Sequence, residues 1–281
     1  MIRPAMQDDA FLADVAAMRD VASEALHLWW LGQSGFLLQF RGRHLLFDPY
    51  LSDSLTRKYA GTHKPHVRVT ERVVAPERLT FVDAVTSTHN HTDHLDPETL
   101  RPLAAAAPFT MYHPEANTSV VLDRIGNDDP LPTVGMVAGE SVTWGESRIT
   151  AVPAAHPTRE QDERGRDKYL GFVLRPGPFC VYHSGDTVVY DRMAETLRPH
   201  DVDLAILPIN GKVGNMGGRD AARLAKEIGA KLVVPCHYEM FEFNTADPGD
   251  EFVPECERLG QPYKVLRAGE RLTLRPGESS R

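Results

Sequence analysis

The sequence predicts an α/β fold of four layers, two β-sheets packed together with helices on their outer sides. Three observations carry that expectation. Short apolar runs recur in both halves of the chain. Several follow one another with only a turn between, which suits a parallel doubly wound sheet poorly. Two segments, 96–106 and 218–229, carry helical punctuation and can cover the sheets.

Residues 8–26 read as an amphipathic helix, with Phe11, Val15, Met18, Val21 and Ala22 at spacings of three and four. Three strands follow, HLWWLG, GFLLQF and HLLFDPY, the last two joined by a tight Arg41-Gly42-Arg43 hairpin. Residues 51–80 are polar, lean basic and lack a period, so they predict a long loop with a short helix. Loops of that length inside compact domains are usually functional. DAVTSTH is a buried-looking strand that runs into a histidine-rich turn. In DPETLRPLAAAA, Asp96 can cap a helix, Pro97 suits its first turn and Pro108 ends it. From FTMYHP to about residue 150, short strands alternate with Pro/Gly turns. RITAVPAAH, YLGFVLRPG, FCVYHSGD, VDLAILPI and KLVVPCH are further strands. GGRDAARLAKEIGA is a helix with Ala222, Leu224, Ala225 and Ile228 as inward candidates and Gly229 at its end. PYKVLRAGERLTLRPG supplies a last pair of strands. With no repeat and no low-complexity linker, one domain over 1–281 is the simplest organisation.

Composition narrows the function. At 281 residues, 42% hydrophobic and 25% charged, the chain is an ordinary globular protein, not a disordered one. Its 31 Lys and Arg against 39 Asp and Glu leave a net charge of −8, which disfavours broad binding to nucleic acid. No apolar run is long enough to span a membrane. The three cysteines are scattered, and the N-terminal residues are acidic where a signal peptide is basic, so a reducing cytoplasm is expected. A homo-oligomer is compatible with all of this.

The main chemical signal is Ser87-Thr88-His89-Asn90-His91-Thr92-Asp93-His94. Isolated histidines are mostly surface or hydrogen-bonded core residues. Three histidines and an aspartate within six residues, directly after an apolar strand, are hard to explain that way. Imidazole and carboxylate suit zinc, manganese or iron. Alternation along an extended segment lets His89 and His91 face one pocket, while Asp93 and His94 lie on the turn beyond and can serve a second point. Further ligands must come from elsewhere. His156, Asp186 and His237 close three other apolar strands, where strand ends gather at one rim.

HxHxDH at 89–94 with His156, Asp186 and His237 resembles the metallo-β-lactamase superfamily, over about residues 27–275. The resemblance implies an αββα sandwich with a dinuclear site at one edge. It implies that His89, His91 and His156 hold one metal, that Asp93, His94 and His237 hold the other, and that Asp186 bridges them. Asp48, closing HLLFDPY, matches a position that supports the metal turn by hydrogen bonding. A narrower similarity, in WWLGQSGFLLQF, YHSGDT, LPINGKVGNM and VPCHYEMF, is to the branch that includes the L-ascorbate-6-phosphate lactonases. That branch hydrolyses a lactone on a phosphorylated sugar acid and is manganese-associated. The chain is shorter than that pattern between 156 and 169, and its AAHP carries a histidine the lactonase lacks.

Such a pair of divalent cations, Zn or Mn with Fe as a third choice, shares a water and lowers its pKa towards neutrality. Asp93 can orient that water as well as bind metal. The expected activity is hydrolysis of a small, anionic ester, lactone or phosphoester. Lys212 and Asn215, in the Gly-rich turn 211–218 before a helix, and Arg159, just past His156, are the candidate anion contacts. Ser34 and Ser184 lack a GxSxG frame, so a serine hydrolase is disfavoured. Two other classes stay open: a nuclease on the same scaffold, and a non-catalytic metabolite-binding member.

Overall fold

The computed structural model describes residues 1–20, 23–126 and 131–277. Helix α1 (Asp8–Ala17) buries Phe11 and Val15 and then stops, well short of the expected residue 26. Arg19 and Asp20 interrupt its apolar face, and Val21 and Ala22 lie outside the described residues. The helix is pinned to the sheet beneath it through Asp14, which accepts the Trp29 indole N–H at 2.8 Å and pairs with Arg271 at 2.9 Å.

Thirteen strands follow among the described residues. They are β1 (Leu26–Gly32), β2 (Gly35–Phe40), β3 (Arg43–Phe47), β4 (Ala84–Thr86), β5 (Thr110–Pro114), β6 (Thr133–Met136), β7 (Ser141–Trp144), β8 (Ser147–Pro153), β9 (Leu170–Arg175), β10 (Val181–His183), β11 (Leu204–Pro208), β12 (Leu232–Cys236) and β13 (Arg271–Leu274). They form a seven-stranded sheet, in the order β13-β1-β2-β3-β4-β5-β6, and a six-stranded sheet, in the order β12-β11-β10-β9-β8-β7. Both are mixed. In the first, β3 to β6 are parallel and the β1-β2-β3 meander is antiparallel. In the second, β10, β11 and β12 are parallel and the rest antiparallel. The β2–β3 hairpin turns on Arg41 and Gly42, both at positive φ (46° and 73°), as a two-residue turn matched to strand twist requires.

One contiguous apolar cluster takes in both sheets, with Leu38, Phe47 and Val85 from the first and Phe172, Val181 and Ile206 from the second. Ring contacts cross the interface: Phe47 stacks on His183 at 4.9 Å, and Phe40 meets Phe179 edge-on at 6.1 Å. Helices α2 (Ser54–Lys58), α3 (Pro97–Ala106), α4 (Thr118–Ile125), α5 (Met193–Leu197), α6 (Gly218–Ile228) and α7 (Phe252–Leu259) complete the layers. The two expected helices are in place. Asp96 accepts the Glu98 N–H and Pro97 opens α3, while α6 buries Ala221, Ala222, Leu224, Ala225 and Ile228 and ends on left-handed Gly229. No helix among the described residues is long and apolar enough to cross a membrane.

Three departures from expectation concern helices and the tail. The middle segment contains α4 where strands and turns were expected. Its TSVVLDRI sequence is rich in β-branched residues, yet Val121 and Ile125, four apart, bury one helical face. Helices α5 and α7 are also additions to the sequence reading. The tail holds one strand, β13, and Tyr263 makes only a single bridge to Val233.

Two buried histidines in this sheet predict acid sensitivity. Burial pushes His44 down to about 4, aided by the charge of Arg19, and pushes His27 down to about 4, aided by Arg271 and Arg275. Above the ordinary value of 6.5 both states are neutral and nothing is linked. As pH falls from 6.5 towards 4 the unfolded chain takes up protons that the folded chain refuses, so stability is lost across that window, by about 3 kcal/mol at most per group. Urea midpoints measured from pH 7 to 4 should fall, and His44→Gln should flatten the slope. A slope unchanged by that substitution would refute the assignment for His44.

Candidate metal centre

Strand direction gathers the chemistry. Asp48 follows β3, the 87–94 turn follows β4, and His237 follows β12 directly, at positive φ (63°). His156 and Asp186 lie three residues beyond the ends of β8 and β10, so they sit on the connecting turns, whereas the sequence pattern places them as the last residues of their strands. Within each sheet these strands run the same way, which brings all their C-terminal ends to one rim.

The seven residues expected from sequence converge there. Atoms of His89, His91, His156 and Asp186 lie within 4.8 Å of one another, and so do atoms of Asp93, His94 and His237. Asp186 faces both groups. Its Oδ2 is 3.6 Å from His156 Nε2, and its Oδ1 is 2.6 Å from His237 Nε2 and 3.2 Å from His94 Nε2. Close as these atoms are, Nε2 of His89, His94 and His237 and Oδ1 of Asp186 are buried without an aligned hydrogen bond. Four bare donor atoms pointed at common centres suit cations, since buried polar atoms are otherwise almost always paired. The set is nitrogen and oxygen only: Cys180, Cys236 and Cys256 are free and buried, and none belongs to either group.

The opposite ring nitrogens are occupied, which is what turns Nε2 inward. His94 Nδ1 donates to Asp48 Oδ2 at 2.6 Å, and His156 Nδ1 donates to the Gly214 carbonyl at 2.9 Å. His89 Nδ1 is 3.2 Å from Thr88 Oγ1, whose hydroxyl donates to Asp48. Asp48 Oδ1 also accepts the Thr88 backbone N–H at 3.0 Å, so this one buried carboxylate ties down the whole turn. Gln33 is a site residue that sequence reading missed. Its Nε2 donates to Asp93 Oδ2 at 2.9 Å and lies 3.1 Å from His237 Nδ1. Gly185 (φ 60°) is required by space as well as by conformation, because a Cβ there would meet Thr88 Oγ1 at 2.5 Å.

The electrostatics is that of a charged cluster out of water. Burial alone would raise Asp186, but the imidazoles of His237 and His94 hold it well below the usual carboxylate range. Burial would lower His94, yet Asp186 and Asp93, with the Asp48 hydrogen bond, hold it well above the ordinary histidine value. His89 is driven well down by burial and by the charge of His94, and His91 is lowered chiefly by burial.

Over the cluster lies a cavity of about 260 Å³, lined by His91, Asp93, His156 and Asp186, by Lys58, Lys64 and Arg124, and by Leu55, Tyr59, His66, Val213 and Phe243. The expected anion contacts do not line it. Arg159 is held by Asp167, at 2.9 and 3.1 Å. Lys212 reaches the Thr245 carbonyl and lines a different cavity together with Asp247, Asp250 and Glu251, whose charges oppose an anion there. Asn215 is buried beside Gly214 with its amide unpartnered. The cations that do line the cavity come from the 51–80 segment and the end of α4. The unusual length of the former was the only signal in the sequence.

A family model described as the beta-lactamase superfamily domain matches residues 43–238, more than half of the chain and every residue of the cluster. A UPF0173 metal-dependent hydrolase of Methanoregula boonei is 31% identical over 227 residues, covering 79% of this chain and 86% of that protein. One from Opitutus terrae is 28% identical, covering 89% and 100%. Among solved structures, Igni18, a metallo hydrolase of Ignicoccus hospitalis, superposes with a TM-score of 0.65 at 23% identity, covering 89% of this chain and 98% of that one, a likeness of fold. The strand order, the converging imidazoles and carboxylates and these matches lead to one assignment: the chain belongs to the UPF0173 family of metal-dependent hydrolases within the metallo-β-lactamase superfamily.

Proposed function

We propose that His89, His91 and His156 hold one divalent cation, that Asp93, His94 and His237 hold a second, and that Asp186 lies between them. The protein then hydrolyses a small anionic ester, lactone or phosphoester, with a phosphorylated sugar-acid lactone as one member of that class. The observation that carries this reading is the set of bare, buried Nε2 atoms of His89, His94 and His237, whose Nδ1 atoms already face Thr88, Asp48 and Gln33. Bound there, zinc or manganese, with iron as a third choice, supplies Lewis acidity and lowers the pKa of water. The chain's own residues do the rest. Asp93, fixed through Oδ2 by Gln33, orients the attacking water and can take its proton. The buried floor excludes bulk solvent, which strengthens each charge interaction.

The test joins metal analysis of protein purified without chelator to a screen of lactones, phosphodiesters and thioesters, with His91→Ala as control. His91 is the exposed member of its group, so its loss should leave the fold intact. A drop in activity of about a hundredfold or more is expected. Full activity in that variant, or metal content near zero in the parent, would overturn the reading.

A further inference from the structure

We propose that the rim of this cavity selects an amphiphilic anion: a substrate with a flat, apolar body and a charged group set apart from the bond that is cleaved. Lys58 and Lys64 bind the charge, and Tyr59, His66 and Phe243 form the wall for the body. This rests on the hydrolase reading for the cleavage step, and on independent observations for the selection.

The first observation is the state of the cations. This chain carries eight more acids than bases, and many of its exposed cations are matched. Arg57 pairs with Glu98, Arg78 with Asp9, Arg166 with Asp162 and Glu115, and Lys231 with Asp203. Those of the cavity are not. Lys58 Nζ reaches the Thr92 hydroxyl, at 3.3 Å, and lies 5.4 Å from the centroid of the Tyr59 ring, with no carboxylate partner, and the Lys64 ammonium has no hydrogen bond or ion pair among the described residues. Arg124 donates to the Leu95 carbonyl at 2.9 Å. Among the described residues the acids in the lining are Asp93 and Asp186, which belong to the cluster at its floor. Among the described residues none of these three cations has a carboxylate at ion-pair distance, although Asp96 and Asp123 act on Arg124 from further off, and together they leave a local positive field that attracts an anionic ligand.

The second observation is depth. Lys58 and Lys64 are exposed, whereas His89, His94, His237 and Asp186 are buried. A group cleaved at the floor is therefore not the group bound at the rim. The same cavity has an aromatic wall of half-buried rings. Tyr59 and His66 stack with centroids 4.4 Å apart, and His66 meets Phe243 at 5.4 Å. Leu55 and Val213 extend it, the latter 56% exposed at the mouth. Aromatic faces of this kind hold planar apolar groups.

The test uses the metal-loaded protein and two readouts. In the first, hydrolysis of phenyl acetate is compared with that of 4-acetoxybenzoate and 4-acetoxyphenyl phosphate, in which the charge lies across the ring from the ester. Parent kcat/KM should favour the charged pair by about tenfold or more, and the ratio should collapse towards unity in Lys58→Gln/Lys64→Gln. In the second, calorimetry measures binding of benzoate, phenyl phosphate and inorganic phosphate with no reaction involved. Phenyl phosphate should bind more tightly than inorganic phosphate, Phe243→Ala should erase that difference, and the double lysine variant should weaken both aryl anions about tenfold. A preference for the carboxylate or for the phosphate identifies which anion the rim takes. If no ester is cleaved but the lysine and phenylalanine effects on binding persist, the inference stands and the hydrolase reading falls. Equal cleavage of neutral and charged esters, or binding indifferent to both variants, overturns the inference.

Discussion

Asp186→Ala is expected to strip the protein of most of its metal and to lower kcat/KM by about a thousandfold or more. The expectation follows from position. Asp186 is the one residue whose two oxygens face both groups, Oδ2 towards His156 and Oδ1 towards His94 and His237. Each histidine serves one group, so its loss leaves the other set whole; loss of Asp186 weakens both. The carboxylate is also the negative charge that would let several imidazoles and the proposed pair of cations occupy one buried space. Without it the like charges face one another in a medium that screens them poorly. Metal-to-protein ratios and steady-state rates of Asp186→Ala and Asp186→Asn, set beside those of His91→Ala, check the argument. The amide keeps shape and one oxygen but no charge, so it should lie between parent and alanine in metal content. Parental metal content and rate in the alanine variant would show that Asp186 is not shared.

How much of this was legible in the sequence depends on the kind of signal each part carried. The histidine turn announced itself because its chemistry is local: four potential ligands in six residues. His156, Asp186 and His237 were legible because apolar strands end just before them, though two of the three sit on turns beyond the strand. The sheets were read from runs such as GFLLQF, whose turn at Arg41-Gly42 is a short-range feature. Helix α4 was not legible, because β-branched residues favour strands by local propensity and only tertiary packing of Val121 and Ile125 decides otherwise. Gln33 was invisible for a different reason. An amide in a Gly-flanked turn looks like any turn residue until the fold sets it against Asp93, sixty positions away. The placement of the expected anion contacts outside the cavity over the cluster was hidden for the same cause. Lys212 and Arg159 lie near promising motifs in sequence, but acidic neighbours surround the first and take up the second. Lys58 and Lys64 stood in a segment with no pattern at all.

The second large effect is expected at Asp48, and it separates positioning from ligation. Asp48 touches neither group's shared centre. It is fully buried and accepts hydrogen bonds from the Thr88 backbone N–H, the Thr88 hydroxyl and His94 Nδ1. Asp48→Ala leaves those donors unpaired where water does not reach, a cost of about 3–5 kcal/mol. It also places alanine at φ 38°, where a side chain without local hydrogen bonds is strained. A fall in Tm of roughly 10 °C is the expected readout. Asp48→Asn tests the finer point. The amide fills the same space, but its NH₂ must face either Thr88 N–H or His94 Nδ1–H, and the negative charge that makes His94 Nε2 a better donor is gone. The fold should suffer less than in the alanine variant, while affinity for zinc, measured by competition with a chelator, should still fall about 10–100-fold. Parental zinc affinity in the asparagine variant would reduce Asp48 to a turn residue that the fold needs and the site does not. A loss of affinity larger than the loss of stability accounts for would place its action on the imidazole of His94.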